Sequence, residues 1–195
     1  MTIEPLLQAG DLVAIGRYRT RVTAEFASSL MDGDQVLALS GSGELRRLPK
    51  HVVELVEGSV GRAMSGFEQL SAVSDQAICQ FFELASIALL DDEVFAHVQS
   101  ANISDVESAR VRGRSTTRLA LTDSMRHDMV SALMMWRDAP MSRNTVVSRI
   151  QHIGWTVEEL SASLGVIGFV FEGRPNVFAD ATGVLKGGNA VVFRI

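Results

Sequence analysis

The chain has 195 residues, 47% of them hydrophobic and 21% charged, with a net charge of −5. That is enough apolar material for the core of one ordinary globular domain, or for the N-terminal piece of something larger. The acidic balance argues against a nucleic-acid partner, which needs a basic face, and no apolar run approaches the ~18 residues of a membrane helix. The N-terminus, Met1-Thr-Ile-Glu-Pro5, lacks the basic region and apolar core of a secretory signal. A lone cysteine, Cys79, forms no internal disulfide, which fits a reducing cytoplasm.

Residues 1–48 form an N-terminal extension with no assigned role. Short apolar runs (Leu12 to Ile15, Val36 to Leu39) alternate there with a Ser40-Gly-Ser-Gly43 turn, and the turn chemistry predicts a small hairpin from Asp34 to Leu48. Residues 49–140 read as helical. Pro49 suits the first turn of a helix, and Val56, Val60, Ala63, Met64, Phe67 and Leu70 fall on one stripe at three- and four-residue steps. Ser74 suits the N-cap of a helix carrying Ile78, Phe81, Phe82, Ala85 and Leu89. Asp91-Asp92-Glu93 puts negative charge where the macrodipole of a third helix favours it. That helix is expected to run to Arg112, with a break near Ser104 and Gly113 as its stop. Thr122-Asp-Ser opens a further helix with Met125, Met129, Leu133 and Trp136 on one face, ending before Pro140. Within residues 141–163, Thr145 to Gln151 and Trp155 to Val157 read as strands.

Residues 164–195 are the most informative. Gly165 to Phe171 is almost uniformly apolar and rich in β-branched and aromatic residues, which predicts a strand buried on both faces, as in a parallel sheet. A polar turn, Glu172 to Asn176, follows. Val177, Ala181, Val184 and Leu185 then recur at helical spacing up to Lys186, where Gly187-Gly188-Asn189 stops the helix. Ala190 to Phe193 is a second buried strand, so the unit reads as βαβ. The fold class is α/β: a helical N-terminal half leading into a parallel sheet.

Gly165-Val-Ile-Gly168 lacks the third glycine of a G-x-G-x-x-G fingerprint and, by spacing, marks only glycines where a strand packs tightly. The words "LGVIGFVFEGRPN" and "LKGGNAVVFR" nevertheless resemble the first βαβ unit of the aldehyde dehydrogenase superfamily. Within it they resemble the glutamate-5-semialdehyde dehydrogenase (γ-glutamyl phosphate reductase) family. Upstream, "SANISDVESARVRGRSTTRLALTD" is similar to the same family's second long helix and the segment after it. The resemblance covers residues 60 to 195 and implies the start of a Rossmann-type cofactor domain, here incomplete. It also implies that the strands of residues 141–163 lie near an oligomerisation arm, and hence a homo-oligomer.

The same resemblance assigns site residues. Asn176 matches an asparagine that serves as an oxyanion hole; acyl transfer to a thiolate makes a tetrahedral oxyanion that a fixed amide donor stabilises. By the residues alone, Asn176 could equally cap the helix from Val177. Glu172, Gly173 and Arg174 would flank the nicotinamide half of the cofactor, and Arg174 meets a substrate phosphate or carboxylate, or else pairs with Glu172. Arg194 ends the second strand where the superfamily sets a basic residue against the adenosine ribose. Its fork also suits a 2′-phosphate, which favours NADP over NAD. Ser163 stands where the family carries proline, a change at strand entry only. The histidines His51, His97, His127 and His152 are scattered without metal-ligand spacing, so no metal is expected.

Cys79 is the only thiol, but it lies between Ile78 and Phe81 on an apolar helix and reads as a small core residue. In the family resembled, the nucleophile lies beyond the second strand. The expectation is therefore an N-terminal portion of a cytoplasmic enzyme reducing γ-glutamyl phosphate to glutamate 5-semialdehyde with NADP, on the way to proline. Alone, the chain is expected to be inactive. The competing expectation is a shortened, non-catalytic relative that binds a partner subunit through its helices and arm strands.

Overall fold

The computed structural model describes residues 7–194; the N-terminal pentapeptide read above for a signal and the terminal Ile195 lie outside the described residues. The chain divides into two compact units, residues 1–59 and 60–195.

In the first unit, β1 (Leu12–Ile15) and β2 (Tyr18–Arg21) form an antiparallel hairpin, with Ile15 opposite Tyr18. Gly16 in the connecting turn takes φ +57°, the left-handed region that favours glycine. The short helix α1 (Ala24–Ser29) is capped by Thr23, whose hydroxyl accepts the Phe26 N–H at 3.1 Å. A second hairpin pairs β3 (Gln35–Ala38) with β4 (Leu45–Leu48), within the stretch whose turn chemistry predicted one. The first hairpin was not expected, although the Gly16-Arg17 turn between two four-residue strands is its signal. Helix α2 (Lys50–Leu70) crosses the boundary between the units and buries none of its residues; Val56, Val60 and Met64 on its apolar stripe are exposed.

The second unit is built on α3 (Asp75–Leu90), α4 (Asp92–Val111) and α5 (Asp123–Asp138). Three capping side chains fix their starts: Ser74 accepts from Ala77 N–H, Asp91 from Glu93 and Val94, and Thr122 from Met125. The break expected near Ser104 is absent, and α4 is continuous. No glycine or proline interrupts it there, and Asn102 bonds outward to Leu119 and Leu121 rather than to its own backbone. Ile78, Phe82, Phe95, Met129, Leu133 and Ala179 form the core cluster. Phe81, placed on the same stripe by spacing, is instead 37% exposed, one helical position away from the seam.

Beyond α5, β5 (Val146–His152) and β6 (Trp155–Leu160) make an antiparallel ribbon in which every residue is exposed. Then β7 (Val166–Val170), α6 (Val177–Thr182), a 3₁₀ turn (Gly183–Gly187) and β8 (Ala190–Arg194) form a βαβ passage, with β7 and β8 parallel. Gly188 stops the helical stretch at φ +70°. The expectation that both strands are buried is corrected: Val170 is 89% and Phe193 40% exposed, because among the described residues β7 and β8 pair only with each other. Nor does Gly168 mark tight packing, since an added Cβ would meet nothing within 4 Å.

Candidate functional site

A cavity of about 570 Å³ opens at the carboxyl ends of β7 and β8, the end at which open α/β sheets bind ligands. It is lined by the end of α4 (Asp105, Ala109, Arg112), the segment after it (Arg114, Ser115, Thr117, Arg118, Leu119), the β7–α6 loop (Glu172, Gly173) and the last residue of β8, Arg194. Its size lies in the range of small-molecule sites.

The sequence builds this wall in steps. Gly113, at φ +66°, lets the chain leave α4, and Arg114 N–H closes back on Ala109 O at 2.9 Å. Asn102 on α4 then clamps the departing segment. Its Nδ2 donates to Leu119 O at 2.8 Å, and its Oδ1 accepts from Leu121 N–H at 2.8 Å. Arg118, held in that segment, reaches the β7–α6 loop and pairs with Glu172 at 2.9 Å. The Arg112 guanidinium bends back to Ser108, bonding its carbonyl at 3.0 Å and also its hydroxyl.

Three expected site residues thus share one cavity: Glu172, Gly173 and Arg194. Arg174 and Asn176 are not among its lining residues. Of the two alternatives for Arg174, the pairing with Glu172 is not found. Arg174 bonds Asp180 in the first turn of α6 at 3.2 Å, while Glu172 is taken by Arg118. The alternative that Asn176 caps α6 through its side chain also falls, since it makes no capping bond and its backbone sits at ψ 0° rather than extended. Its Oδ1 is buried with no hydrogen-bond partner among the described residues. A buried unpaired amide oxygen costs about 1–3 kcal/mol, so such atoms concentrate where a fold has a use for them.

Cys79 lies elsewhere in the second unit. Its Sγ accepts from Lys186 Nζ at 3.3 Å, and the same ammonium donates to Arg137 O at 3.3 Å. Sequence reasoning missed Arg112, Arg114 and Arg118 altogether. The signal was present in Arg-Val-Arg-Gly-Arg-Ser-Thr-Thr-Arg, but charge in a run is ordinarily a solvated face.

No family model matches the chain. A gamma-glutamyl phosphate reductase from Xanthomonas oryzae is 34% identical over 131 residues, covering 64% of this chain and 31% of the relative. One from Rhodopseudomonas palustris is 40% identical over 105 residues, covering 51% and 24%. Among solved structures, the gamma-glutamyl phosphate reductase of Thermotoga maritima superposes with a TM-score of 0.62 at 25% identity, over 70% of this chain and 34% of that one. The Saccharomyces cerevisiae reductase shares the fold, with a TM-score of 0.61 at 23% identity. By sequence and by fold the chain resembles the gamma-glutamyl phosphate reductases, and it spans about a quarter to a third of the length of those relatives.

Proposed function

We propose that the chain is the N-terminal portion of a cytoplasmic, NADP-dependent reductase that converts γ-glutamyl phosphate to glutamate 5-semialdehyde, a step of proline biosynthesis. The observation that carries this reading is the meeting of Glu172, Gly173 and Arg194 at one cavity on the carboxyl edge of parallel strands. The named relatives support it. Arg194 fits a cofactor phosphate: its side chain is exposed at the end of β8, and its planar fork suits bidentate contact with a phosphate. NADPH, when bound, supplies the hydride. Glu172, fixed by Arg118, and the backbone at Gly173 form the loop over which the cofactor passes.

Asn176 is the oxyanion donor in this reading. Charge develops on the carbonyl oxygen during acyl transfer, and a positioned amide is worth about 3 kcal/mol there. The donor in this role is the Nδ2 amide, and the side chain is free of a helix-capping bond. Arg174, tethered to Asp180, contributes a cation to the substrate side of the loop. The exposed β5–β6 ribbon serves as the arm through which copies of the protein assemble into a homo-oligomer.

Titration of the 195-residue chain with NADPH and NADH, followed by nucleotide fluorescence, tests the cofactor assignment. The expected result is saturable binding with NADPH preferred, and a loss of about tenfold in NADPH affinity on Arg194→Ala. Absence of saturable binding to either nucleotide overturns the reading. Unchanged affinity in the variant removes Arg194 from the cofactor site.

A further inference from the structure

We propose that Arg112 and Arg114, with the hydroxyls of Ser115 and Thr117, form a binding site for a terminal phosphate dianion in the cavity that Glu172, Gly173 and Arg194 also line. This rests on the cavity being the ligand site of the reading above. Four arginines and two carboxylates line it, a formal net charge of +2 on a chain whose total is −5. One of those carboxylates, Glu172, is already neutralised by Arg118. The remaining one is Asp105.

Neither of the two arginines is spent on another charge. Arg112 is held by the neutral carbonyl and hydroxyl of Ser108, which fix its plane and leave its charge uncompensated. The Arg114 guanidinium has no hydrogen bond or ion pair among the described residues. Ser115 and Thr117 add neutral donors, with their hydroxyls 3.4 Å apart. The αL turn at Gly113 and the Asn102 clamp hold the backbone on both sides of this set, so it is arranged before a ligand arrives. Concentrated positive charge within a concave wall focuses the field on a small anion, and guanidinium forks match the oxygens of a phosphate.

A terminal phosphate dianion occurs in two molecules of the proposed reaction, on the mixed anhydride of the acyl phosphate substrate and on the 2′-monoester of NADP. Calorimetric titration of the 195-residue chain with acetyl phosphate, adenosine 2′-monophosphate and inorganic phosphate, at fixed ionic strength, measures the site directly. Saturable binding is expected, weakened about tenfold by Arg114→Gln and by Arg112→Gln, with unchanged circular dichroism and Tm. Loss confined to acetyl phosphate assigns the site to the substrate, and loss confined to adenosine 2′-monophosphate assigns it to the cofactor.

No saturable binding of any of the three, or affinities unchanged in both variants, overturns the proposal. NADPH binding that responds to Arg194→Ala, in a chain whose affinities for all three phosphates are unchanged by Arg114→Gln and by Arg112→Gln, sustains the reductase reading and sinks this site. Phosphate binding that Arg114→Gln abolishes, in a chain that binds no nicotinamide nucleotide, does the reverse.

Discussion

The two units of the chain are held together by different means. In the second, six buried residues from three long helices and α6 form one apolar cluster, with Phe82 and Leu133 wholly inside it. Among the described residues of the first, the buried hydrophobics are Ile15 and Val22, and polar side chains do the joining. Asp34 accepts from Met31 N–H at 2.7 Å, Lys50 N–H at 3.0 Å and Arg47 Nε–H at 2.5 Å, tying a turn to β4 and to the start of α2. Tyr18 reaches Gly41 O at 3.0 Å, and Thr20 reaches Gly43 O, so the two hairpins are stitched side chain to backbone. A unit this small buries little surface, and directional bonds replace packing. The difference predicts which perturbation each unit feels.

Truncation of the helical cluster carries the largest effect. Phe82→Ala or Leu133→Ala removes a fully buried side chain and leaves a cavity that rigid helices close only in part. The expected cost is about 2–5 kcal/mol for each, read as a lower urea midpoint. Val22→Ala, the nearest equivalent in the first unit, should cost about 1–2 kcal/mol, because fewer neighbours are left facing the void. Equal costs at Phe82 and Val22 would break the contrast.

A single methyl sharpens it further. At Gly183, an added Cβ would lie 2.4 Å from the Trp136 ring, whose Nε1 donates to Ala179 O at 3.1 Å. Gly183→Ala therefore displaces the indole, with an expected loss of about 1–3 kcal/mol and a shifted tryptophan emission. Gly168→Ala, on the open strand β7, meets nothing within 4 Å and should be neutral within about 1 kcal/mol.

Acid should act first on the other unit. The Arg47 guanidinium bonded to Asp34 holds that carboxyl below its ordinary value, helped by the Met31 and Lys50 amides against the cost of burial. A depressed folded-state pKa gives stability that is present above the unfolded value and lost as pH falls through the folded one. Amide exchange in β3, β4 and the first turn of α2 should then accelerate on acidification below about pH 4, ahead of α3 and α5. Asp138 is likewise lowered by Arg137, but that pair is exposed at the end of α5 and screened, so it should add little. Asp34→Asn should abolish the early acid phase; if the phase persists, some other carboxylate governs it.

These contrasts were only partly legible in the residues. Caps were readable because each is a local rule: Ser74, Asp91 and Thr122 bond amides two or three positions on. The βαβ unit was readable because a β-branched run, a helical period and a Gly-Gly-Asn stop follow one another. Burial was not, because it depends on what lies opposite. Phe81 and Phe82 are neighbours in sequence, yet one is exposed and the other wholly buried. Most of the cavity wall escaped for the same reason. Asn102 acts on residues 17 and 19 positions away, and Arg118 meets Glu172 across 54. Neither spacing follows from a helical or strand period.

The smallest effect is expected where the chain leaves most apolar surface uncovered. The β5–β6 ribbon is closed by a two-residue turn, Ile153-Gly154, flanked by His152 and Trp155 with rings stacked 4.0 Å apart. Ile153 at its tip is fully exposed, and Gly154 takes φ +85°. Ile153→Ser touches no packed neighbour, so the urea midpoint should move by no more than about 0.5 kcal/mol equivalent. Backbone pairing, turn geometry and the ring stack survive that change, and a two-stranded ribbon depends on them. The oligomer is a separate matter. If the ribbon is the assembly arm, the same substitution should reduce the mass measured by light scattering at low protein concentration while leaving the fold intact. A midpoint shift as large as that of Leu133→Ala would instead mean that the ribbon packs within its own chain. The contrast between packed helices and a bare ribbon would then be wrong.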